Sequence, residues 1–430
     1  MADVIQMPSA TDRRVPTGGP ALLTTSDGRP LKAALQAAQA RARRRALFLV
    51  LPLLLFIVLT FLVPIGYMLK RSFEHDGFSR SSPNLAVWFA ANPEGTAPDE
   101  AAYAALVADL AQMQKDRTPG QAGARINFTV PATISLFKAA ARTAETLTPP
   151  YKAALLALDP AWGSPRIWAA MRSASSTYTA EFYRVAVDRK RGEDGSWEPG
   201  GDKERIYLYL FIKTFIISGV ITFLCLLLAF PIAHLLATLP VSKSSLLMIL
   251  VLLPFWTSLL VRTTSWIVLL QQQGVVNNVL VSLGLIGDDG RLALINNQTG
   301  TIIAMTHVLL PFMILPLYSV MKTIPPSYAR AARSLGATSW TTFRRVYLPQ
   351  TLPGIAAGSL LVFILAVGYY ITPALVGGAS GQLISNMIDF HMDKSNWSLA
   401  AALAGILLVA ILLLYWLYDR LIGIDRLKFG

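Results

Sequence analysis

The chain has 430 residues, of which 53% are hydrophobic and only 15% charged, and its mean hydropathy is +0.48. Soluble domains carry roughly a quarter charged residues, so the composition excludes an ordinary soluble protein and indicates a membrane protein. The net charge of +13 does not indicate nucleic-acid binding, because the basic residues cluster in alternate gaps between apolar segments. These clusters are Arg41, Arg43, Arg44 and Arg45; Arg330, Arg333, Arg344 and Arg345; and Arg420, Arg426 and Lys428.

Residues 1–45 form a polar start to the chain and are predicted to be cytoplasmic. Residues 1 to about 30 mix Pro, Gly, Ser and Thr with few apolar residues, which predicts disorder. Residues 32–45 are Ala-rich and basic, which predicts a helix that is either bound to the inner membrane surface or simply solvated. A cleaved signal peptide is not expected, because the first apolar run is too long for the hydrophobic region of one.

Six apolar runs are long enough to cross a bilayer, which takes about 20 residues. They are residues 46–69, 206–237, 245–269, 299–321, 353–376 and 398–418. The basic clusters place the N-terminus in the cytoplasm, and six crossings return the tail of residues 419–430 to the same side. The loop of residues 322–351 is then cytoplasmic as well, which agrees with its five basic and no acidic residues.

The segment of residues 72–205 is too long for a simple loop and is nearly balanced in charge. Apolar residues at helical spacing, bounded by Pro and Gly, predict helices over residues 99–114, 132–147 and 166–188. We therefore predict a helical periplasmic insertion. An apolar stripe on the first of these helices either packs within the insertion or contacts a delivery protein.

The apolar runs contain no Asp or Glu, which argues against a proton-coupled secondary transporter and favours energy supplied from outside the chain. His234 and His307 lack the spacing of metal ligands, and the sequence has neither a phosphate-binding loop nor a nucleophile motif. No cofactor, metal or enzymatic activity is therefore expected. Lys213 and Arg262, near the outer ends of their runs, either anchor the helices or line an outer vestibule.

The polar loop after the fourth run has a regular plan. Pro325 and Pro326 stop that run. The Ala-rich residues 328–335 predict a short helix, and Gly336 can take the left-handed conformation that ends it. A second short helix follows, capped by Thr or Ser, and Pro349 is expected to end it before the fifth run.

The spacing of this loop resembles the "EAA" signature of binding-protein-dependent ABC transporter permeases, which reads Ala-Ala-x3-Gly-x9-Ile/Val-x-Leu-Pro. The matching residues are Ala331, Ala332, Gly336, Val346, Leu348 and Pro349. The resemblance implies that the loop docks on a cytoplasmic ATPase, with Trp340 and Phe343 as apolar anchors. The family's leading Glu is Arg330 here, so one polar contact is reversed in charge while the small-residue geometry is kept.

Other stretches resemble the spermidine/putrescine-type permeases of this family. They are residues 253–263, 266–270, 274–286 and 370–378, and the pair Asn396-Trp397. The resemblance covers the first run and residues 206–420, and it implies a MetI-like transmembrane core over residues 206–418. Candidates for lining the solute pathway are Trp256, Arg262, Trp266 and Pro373.

The sequence therefore predicts an all-α, polytopic membrane protein with six transmembrane helices, a MetI-like core and a helical periplasmic insertion. The implied function is that of a permease subunit of an ABC importer in the bacterial inner membrane. Its implied partners are an ABC ATPase dimer, a second permease (a paralogue or a second copy), a periplasmic solute-binding protein and membrane lipid, but no nucleic acid. The implied solute is a polyamine. An amino-acid derivative or opine-like solute, a secondary transporter and a structural membrane protein stay open as alternatives.

Overall fold

The structure is a computed structural model that describes residues 31–74, 78–127, 129–176, 178–192, 194, 196–201 and 205–422. The predicted disordered start, residues 1–30, lies outside the described residues. So does the end of the C-terminal tail, with Arg426 and Lys428. The chain divides into two compact units, residues 1–67 and 68–430.

The described part of the first unit, residues 31–67, is helical throughout. Helix α1 (Leu31–Ile57) passes through a π-helical turn (Val58–Leu62) into α2 (Val63–Arg71), whose last residues belong to the second unit. The basic residues 32–45 and the first apolar run therefore lie on continuous helix. Its stretch Ala42–Arg71 is long and apolar enough to cross a membrane.

The segment between the first and second apolar runs folds into short helices. They are α3 (Phe78–Ser81), α4 (Pro83–Ala91), α5 (Glu100–Lys115), α6 (Pro119–Asn127), α7 (Thr133–Thr143), α8 (Tyr151–Leu158), α9 (Pro165–Ser175) and α10 (Glu181–Ala186). The helix predicted over residues 99–114 is α5. The prediction of one helix over residues 166–188 was wrong, because the chain bends between α9 and α10. Beyond α10 comes a short antiparallel hairpin, β1 (Arg189–Arg191) and β2 (Trp197–Pro199), which the sequence pattern did not predict.

The apolar stripe of α5 packs inside this segment. Tyr103 and Leu106 are 1% and 0% exposed and belong to a core that also holds Trp162. The Tyr103 hydroxyl donates to the Trp162 carbonyl at 3.0 Å. Asp109, on the same helix, is fully buried and accepts from the backbone N–H groups of Asn84 and Leu85 at 3.2 and 2.8 Å, at the start of α4. Burial raises the pKa of the Asp109 carboxyl above its usual value.

The end of this segment is joined tightly to the membrane-spanning helices that follow. The buried ring of Phe182, on α10, lies in one apolar cluster with Leu399 and Leu403. The hydroxyls of Ser72 and Tyr183 are 2.8 Å apart. The residues that lead into the second apolar run are thus packed against the rest of the protein and do not form a loosely attached linker.

The remaining elements form the membrane-spanning part. They are α11 (Tyr207–Thr238), α12 (Val241–Trp256), α13 (Leu259–Leu270), α14 (Val275–Ser282), α15 (Gln298–Thr323), α16 (Pro326–Ser334), α17 (Ser339–Thr342), α18 (Leu348–Gly368), α19 (Ile371–Val376), α20 (Ile384–Asp393) and α21 (Trp397–Ile422). Among the described residues, five helices are long and apolar enough to cross a membrane, and a bent pair would make a sixth. The prediction of an all-α, polytopic fold is confirmed, with the count of six as an approximation.

The third apolar run is not the single helix predicted over residues 245–269. Helix α12 and the helix that begins at Leu259 meet at an angle of 97°. Ser258 starts the second helix by accepting from the Val261 N–H at 3.1 Å. The Arg262 guanidinium donates to the Pro254 and Thr257 carbonyls at the end of α12. Side chains thus satisfy both helix ends, as a break at membrane depth requires.

The fifth apolar run also differs from the prediction, which extended it to residue 376. Helix α18 ends at Gly368, and α19 begins only at Ile371. The freed carbonyls of Tyr369 and Tyr370 accept from the Ser385 hydroxyl at 2.6 Å and the Asn386 amide at 2.8 Å. These partners lie on α20, so only the folded chain could reveal the break.

The core of the membrane-spanning part is formed by α11, α15 and α18. Gly354 and Gly358 of α18 face α15, where an added Cβ would lie 3.0 Å from Val320 and 2.8 Å from the Met313 sulfur. Small residues allow helix backbones to approach closely in membranes. The polar loop between α15 and α18 is therefore held between two tightly packed helices.

Candidate functional site

The polar loop after α15 contains a helix end of the Schellman type. Helix α16 starts at Pro326, and Gly336 follows its end with a φ of +86°. The Gly336 N–H donates to the Arg333 carbonyl at 2.9 Å, and the Ala337 N–H donates to the Ala332 carbonyl at 3.1 Å. These two bonds satisfy the last carbonyls of the helix. The predicted left-handed glycine is confirmed.

The next helix, α17, is capped by Thr338. Its hydroxyl accepts from the Thr341 N–H at 3.2 Å, which satisfies one of the unpaired donors at a helix start. The sequence alone allows either Thr338 or Ser339 as the capping residue. The extended backbone of Thr338, with φ −67° and ψ 163°, decides between them.

The prediction that Pro349 ends this second helix was wrong. Helix runs without a break from Ser339 to Gly368, through a π-helical turn at Phe343–Tyr347. The Leu348 N–H reaches back to the Phe343 carbonyl. Pro349 has no N–H to donate and directly follows this change of register, so the helix continues past the one hydrogen bond that proline cannot make. The loop is thus a rigid extension of the fifth span.

The outer face of the loop is apolar and basic. Leu335 is 89% exposed and Trp340 is 67% exposed. Arg330, Ala331 and Pro349 are exposed as well. The sequence analysis did not predict Leu335, although a Leu directly before a helix-ending Gly is a signal for such an exposed position.

The predicted residues of the loop do not all face the same way. Ala332, Phe343, Val346 and Leu348 are half-buried. Phe343 stacks on Trp340 with ring centres 5.7 Å apart, so of the two predicted anchors Trp340 is the more open. The loop therefore has an exposed contact face and a second face that turns toward the spans.

A cleft of about 650 Å³ lies between the loop and the ends of α11 and α15. Its walls include His234, Lys322, Arg333, Phe343 and Tyr347. The Lys322 ammonium donates to the Ala237 carbonyl at 3.4 Å, and His234 contacts Tyr347. The cleft combines basic groups with aromatic rings.

The predicted pathway residues fall in different environments. Trp256 is 75% exposed. The Arg262 guanidinium donates to the carbonyls at the end of α12. Trp266 donates from its indole N–H to the His307 Nδ1 at 3.1 Å. Pro373 is buried within α19.

Lys213 has a specific partner. Its side chain is 8% exposed, and the ammonium donates to the Ser380 carbonyl at 2.5 Å. One residue further along α11, the Thr214 hydroxyl accepts from the Ile384 N–H at 2.9 Å. The Lys213 side chain therefore holds the segment between α19 and α20 against α11. Within the described residues, no group of three or more His, Cys, Asp or Glu side chains could hold a metal ion.

The chain matches known transport proteins over its second half. Residues 224–422 match the family described as "Binding-protein-dependent transport system inner membrane component". The spermidine/putrescine transport system permease protein PotB of Haemophilus influenzae is 37% identical over 217 residues, which cover 50% of this chain and 75% of that protein. PotB of Escherichia coli K12 is 35% identical over 222 residues, covering 51% and 80%. A solved bacterial alginate ABC transporter, in complex with an alginate pentasaccharide-bound periplasmic protein, is 20% identical with a TM-score of 0.44 over 52% of this chain and 80% of that chain.

The chain belongs to the family of binding-protein-dependent transport system inner membrane components. It is a permease subunit of an ABC importer, as the loop spacing predicted, and within that family it is similar to the PotB permeases.

Proposed function

We propose that this permease imports a polyamine of the spermidine or putrescine class. The observation that carries the proposal is the identity of 35–37% to PotB proteins over 75–80% of their length. The six apolar runs contain no Asp or Glu that would bind a polycation. Selectivity therefore belongs to a periplasmic solute-binding protein, and this chain supplies one wall of the route.

Energy for transport comes from a separate ATPase dimer that docks on the loop of residues 326–349. The exposed Leu335 and Trp340 supply apolar contact area, and buried aromatic anchors dominate many protein interfaces. The rigid helical path from Ser339 to Gly368 supports this role, because a docked subunit that moves the loop moves the fifth span with it. The subunit itself performs no catalysis, and a second permease completes the route.

The loop and the C-terminus lie in the cytoplasm in this proposal, and the segment of residues 72–205 lies in the periplasm. Its support is the charge asymmetry, since the loop of residues 322–351 has five basic residues and no acidic residue. The periplasmic segment is placed to meet the solute-binding protein.

Co-purification tests the docking site. A tagged permease is expressed together with the proteins encoded beside it, and the recovered ATPase is quantified. Ala331→Trp puts a large side chain on the exposed face of α16. It should lower ATPase recovery about tenfold, since an obstructed interface centre costs more than about 1.4 kcal/mol.

Ala139→Trp is the matched control, because Ala139 is also an exposed helical alanine, on α7, far along the chain from the loop. It should leave ATPase recovery unchanged. Recovery that is equal for both variants, or absent for the unmodified protein, would contradict the docking proposal.

The solute is tested on the binding protein encoded beside this permease. Ligand at about 100 times its Kd stabilises a protein by about 2.7 kcal/mol, so putrescine or spermidine should raise its melting temperature clearly. Amino acids and opines serve as the comparison set. If only members of that set shift the melting temperature, the polyamine assignment is wrong while the importer assignment stands.

A further inference from the structure

The polar loop of residues 326–349, which we call the coupling loop, leads into the fifth span through a π-helical turn at Phe343–Tyr347. Such a turn holds one residue more than a regular α-helix does, and π-turns are often found at functional sites. The helix stays continuous through this turn, from Ser339 to Gly368, so the coupling loop and the fifth span move as one piece.

Three aromatic residues line one face of this helix, and we call them the aromatic ladder: Trp340, Phe343 and Tyr347. The first two rings stack with centres 5.7 Å apart and planes 25° apart. The second and third stack at 6.3 Å and 27°. The ladder thus runs from the exposed face of the loop through the π-turn.

The inner end of the ladder contacts α11 at two positions one helical turn apart. Phe343 meets the ring of Phe230 edge-on, with centres 5.9 Å apart. The Tyr347 ring packs on the His234 imidazole at 5.0 Å, and its hydroxyl lies 2.9 Å from the His234 Nδ1. Aromatic pairs in this geometry are favourable beyond the area that they bury.

The contacts of the ladder with α11 lie at the boundary between buried and exposed residues. Phe230 and Tyr347 pack against the buried core that joins α11 to α15 and α18, whereas His234 and Trp340 are exposed. The His234–Tyr347 contact therefore adds a polar connection between the loop and α11 at the edge of that core. Because that connection includes a hydrogen bond, it fixes both the distance and the angle between the loop and α11.

We propose that Tyr347 and His234 are positioning residues that hold the coupling loop against α11. Movement of the docked ATPase subunits is then transmitted to this span through the aromatic ladder. The inference rests on the proposed ATPase docking. The loop then acts on α11 directly, in addition to the packing of α11 against α18. Breaking the Tyr347–His234 bond weakens this direct connection while the packed core and the exposed docking face stay in place.

The test uses the complete transporter, reconstituted with its ATPase, partner permease and binding protein. ATP hydrolysis is measured with and without the binding protein, and the ratio reports coupling across the membrane. Tyr347→Phe keeps the stacked ring and removes the hydroxyl. It should lower the ratio by about fivefold, the typical effect of one hydrogen bond, and ATPase recovery and basal hydrolysis are measured in parallel to report docking.

Two further variants separate positioning from general damage. His234→Ala should lower the ratio similarly, and adding it to Tyr347→Phe should cause little further loss, because both remove the same contact. His234→Gln, which retains a hydrogen-bonding group, should recover part of the ratio. Tyr415→Phe on α21, with a side chain 46% exposed, is the matched control and should behave as the unmodified protein.

Additive effects of the two substitutions, or an unchanged ratio in Tyr347→Phe, would overturn the inference. Both outcomes are distinct from failure of the proposed function, in which the unmodified permease recovers no ATPase.

Discussion

At the scale of single residues, the coupling loop depends on a few backbone positions. Gly336 has a φ of +86° with open space around the position of a Cβ, so the conformation rather than crowding requires glycine there. The bonds that follow from this conformation satisfy the carbonyls of Ala332 and Arg333 and set the direction of the next helix. A small residue at the tip of the loop thus controls the whole contact face.

Gly336→Ala should destabilise the loop by about 1–2 kcal/mol, because an L-residue resists the left-handed conformation. We expect ATPase recovery by the tagged permease to fall about threefold or more. Gly219→Ala is the control, since this position also has open space at the Cβ but lies inside α11, where Ala is favoured over Gly. Equal recovery from both variants would show that the loop tolerates a different turn.

Asp109 makes the stability of the protein depend on pH, because burial raises the pKa of its carboxyl. A carboxyl whose pKa is higher in the folded than in the unfolded state binds its proton more tightly when folded. The protein therefore gains stability from this group as the pH falls through the folded pKa, and the gain is complete below the unfolded value of about 4.

Asp109→Asn should remove this gain. The free energy of unfolding of the wild type, minus that of the variant, should rise as the pH is lowered from 7 toward about 4. Thermal unfolding of the purified protein over this pH range measures the difference. A difference that falls with decreasing pH would mean that the hydrogen bonds from Asn84 and Leu85 outweigh burial.

At the scale of elements, α11 is anchored at both ends. At its start, the Asp188 carboxylate accepts from the N–H groups of Tyr207 and Leu208 at 2.9 and 2.8 Å, where the helix dipole favours a negative charge. At its far end, Phe230 and His234 contact the aromatic ladder. One helix therefore links the segment that precedes it with the coupling loop.

Asp188→Ala should destabilise the protein by about 2 kcal/mol, since it removes a helix cap and places Ala at a φ of +57°. The melting temperature of the purified permease measures the loss. Asp289→Ala, at an exposed position in a short turn, should leave it unchanged. A similar melting temperature for all three proteins would mean that the start of α11 is stable without the cap.

At the scale of the whole molecule, the segment of residues 72–205 is not a detachable appendage. Its last helix, α10, packs with α21, and the Ser398 hydroxyl donates to the Glu74 carbonyl at 3.1 Å. A deletion meant to test contact with a binding protein should therefore keep α10 and Asp188. Removing them would also remove the base of α11.

Orientation in the membrane can be tested because the only cysteine, Cys225, is fully buried and should react little. We expect Ser135→Cys, exposed on α7, to react with a membrane-impermeant maleimide in intact cells. Ser334→Cys, exposed on α16, should react only after the inner membrane is opened. The reverse pattern would contradict both the positive-inside assignment and the docking proposal.

The sequence by itself determined the fold class, the approximate number of spans and the family. Apolar length, charge asymmetry and the spacing around Gly336 are local properties, and burial in a bilayer leaves the chain few alternatives to helices. The sequence also predicted the glycine at the end of α16, because one residue type suits a left-handed position.

Only the tertiary structure decided where the spans break and what the side chains do there. Arg262 satisfies carbonyls at the end of α12, and Asn386 of α20 satisfies the Tyr370 carbonyl beyond α18, so both breaks depend on folded geometry. The apolar composition of these runs suits an unbroken helix equally well. The ladder likewise needs α11 and the loop, more than 100 residues apart, to meet at His234 and Tyr347, and no local pattern encodes a contact at that separation.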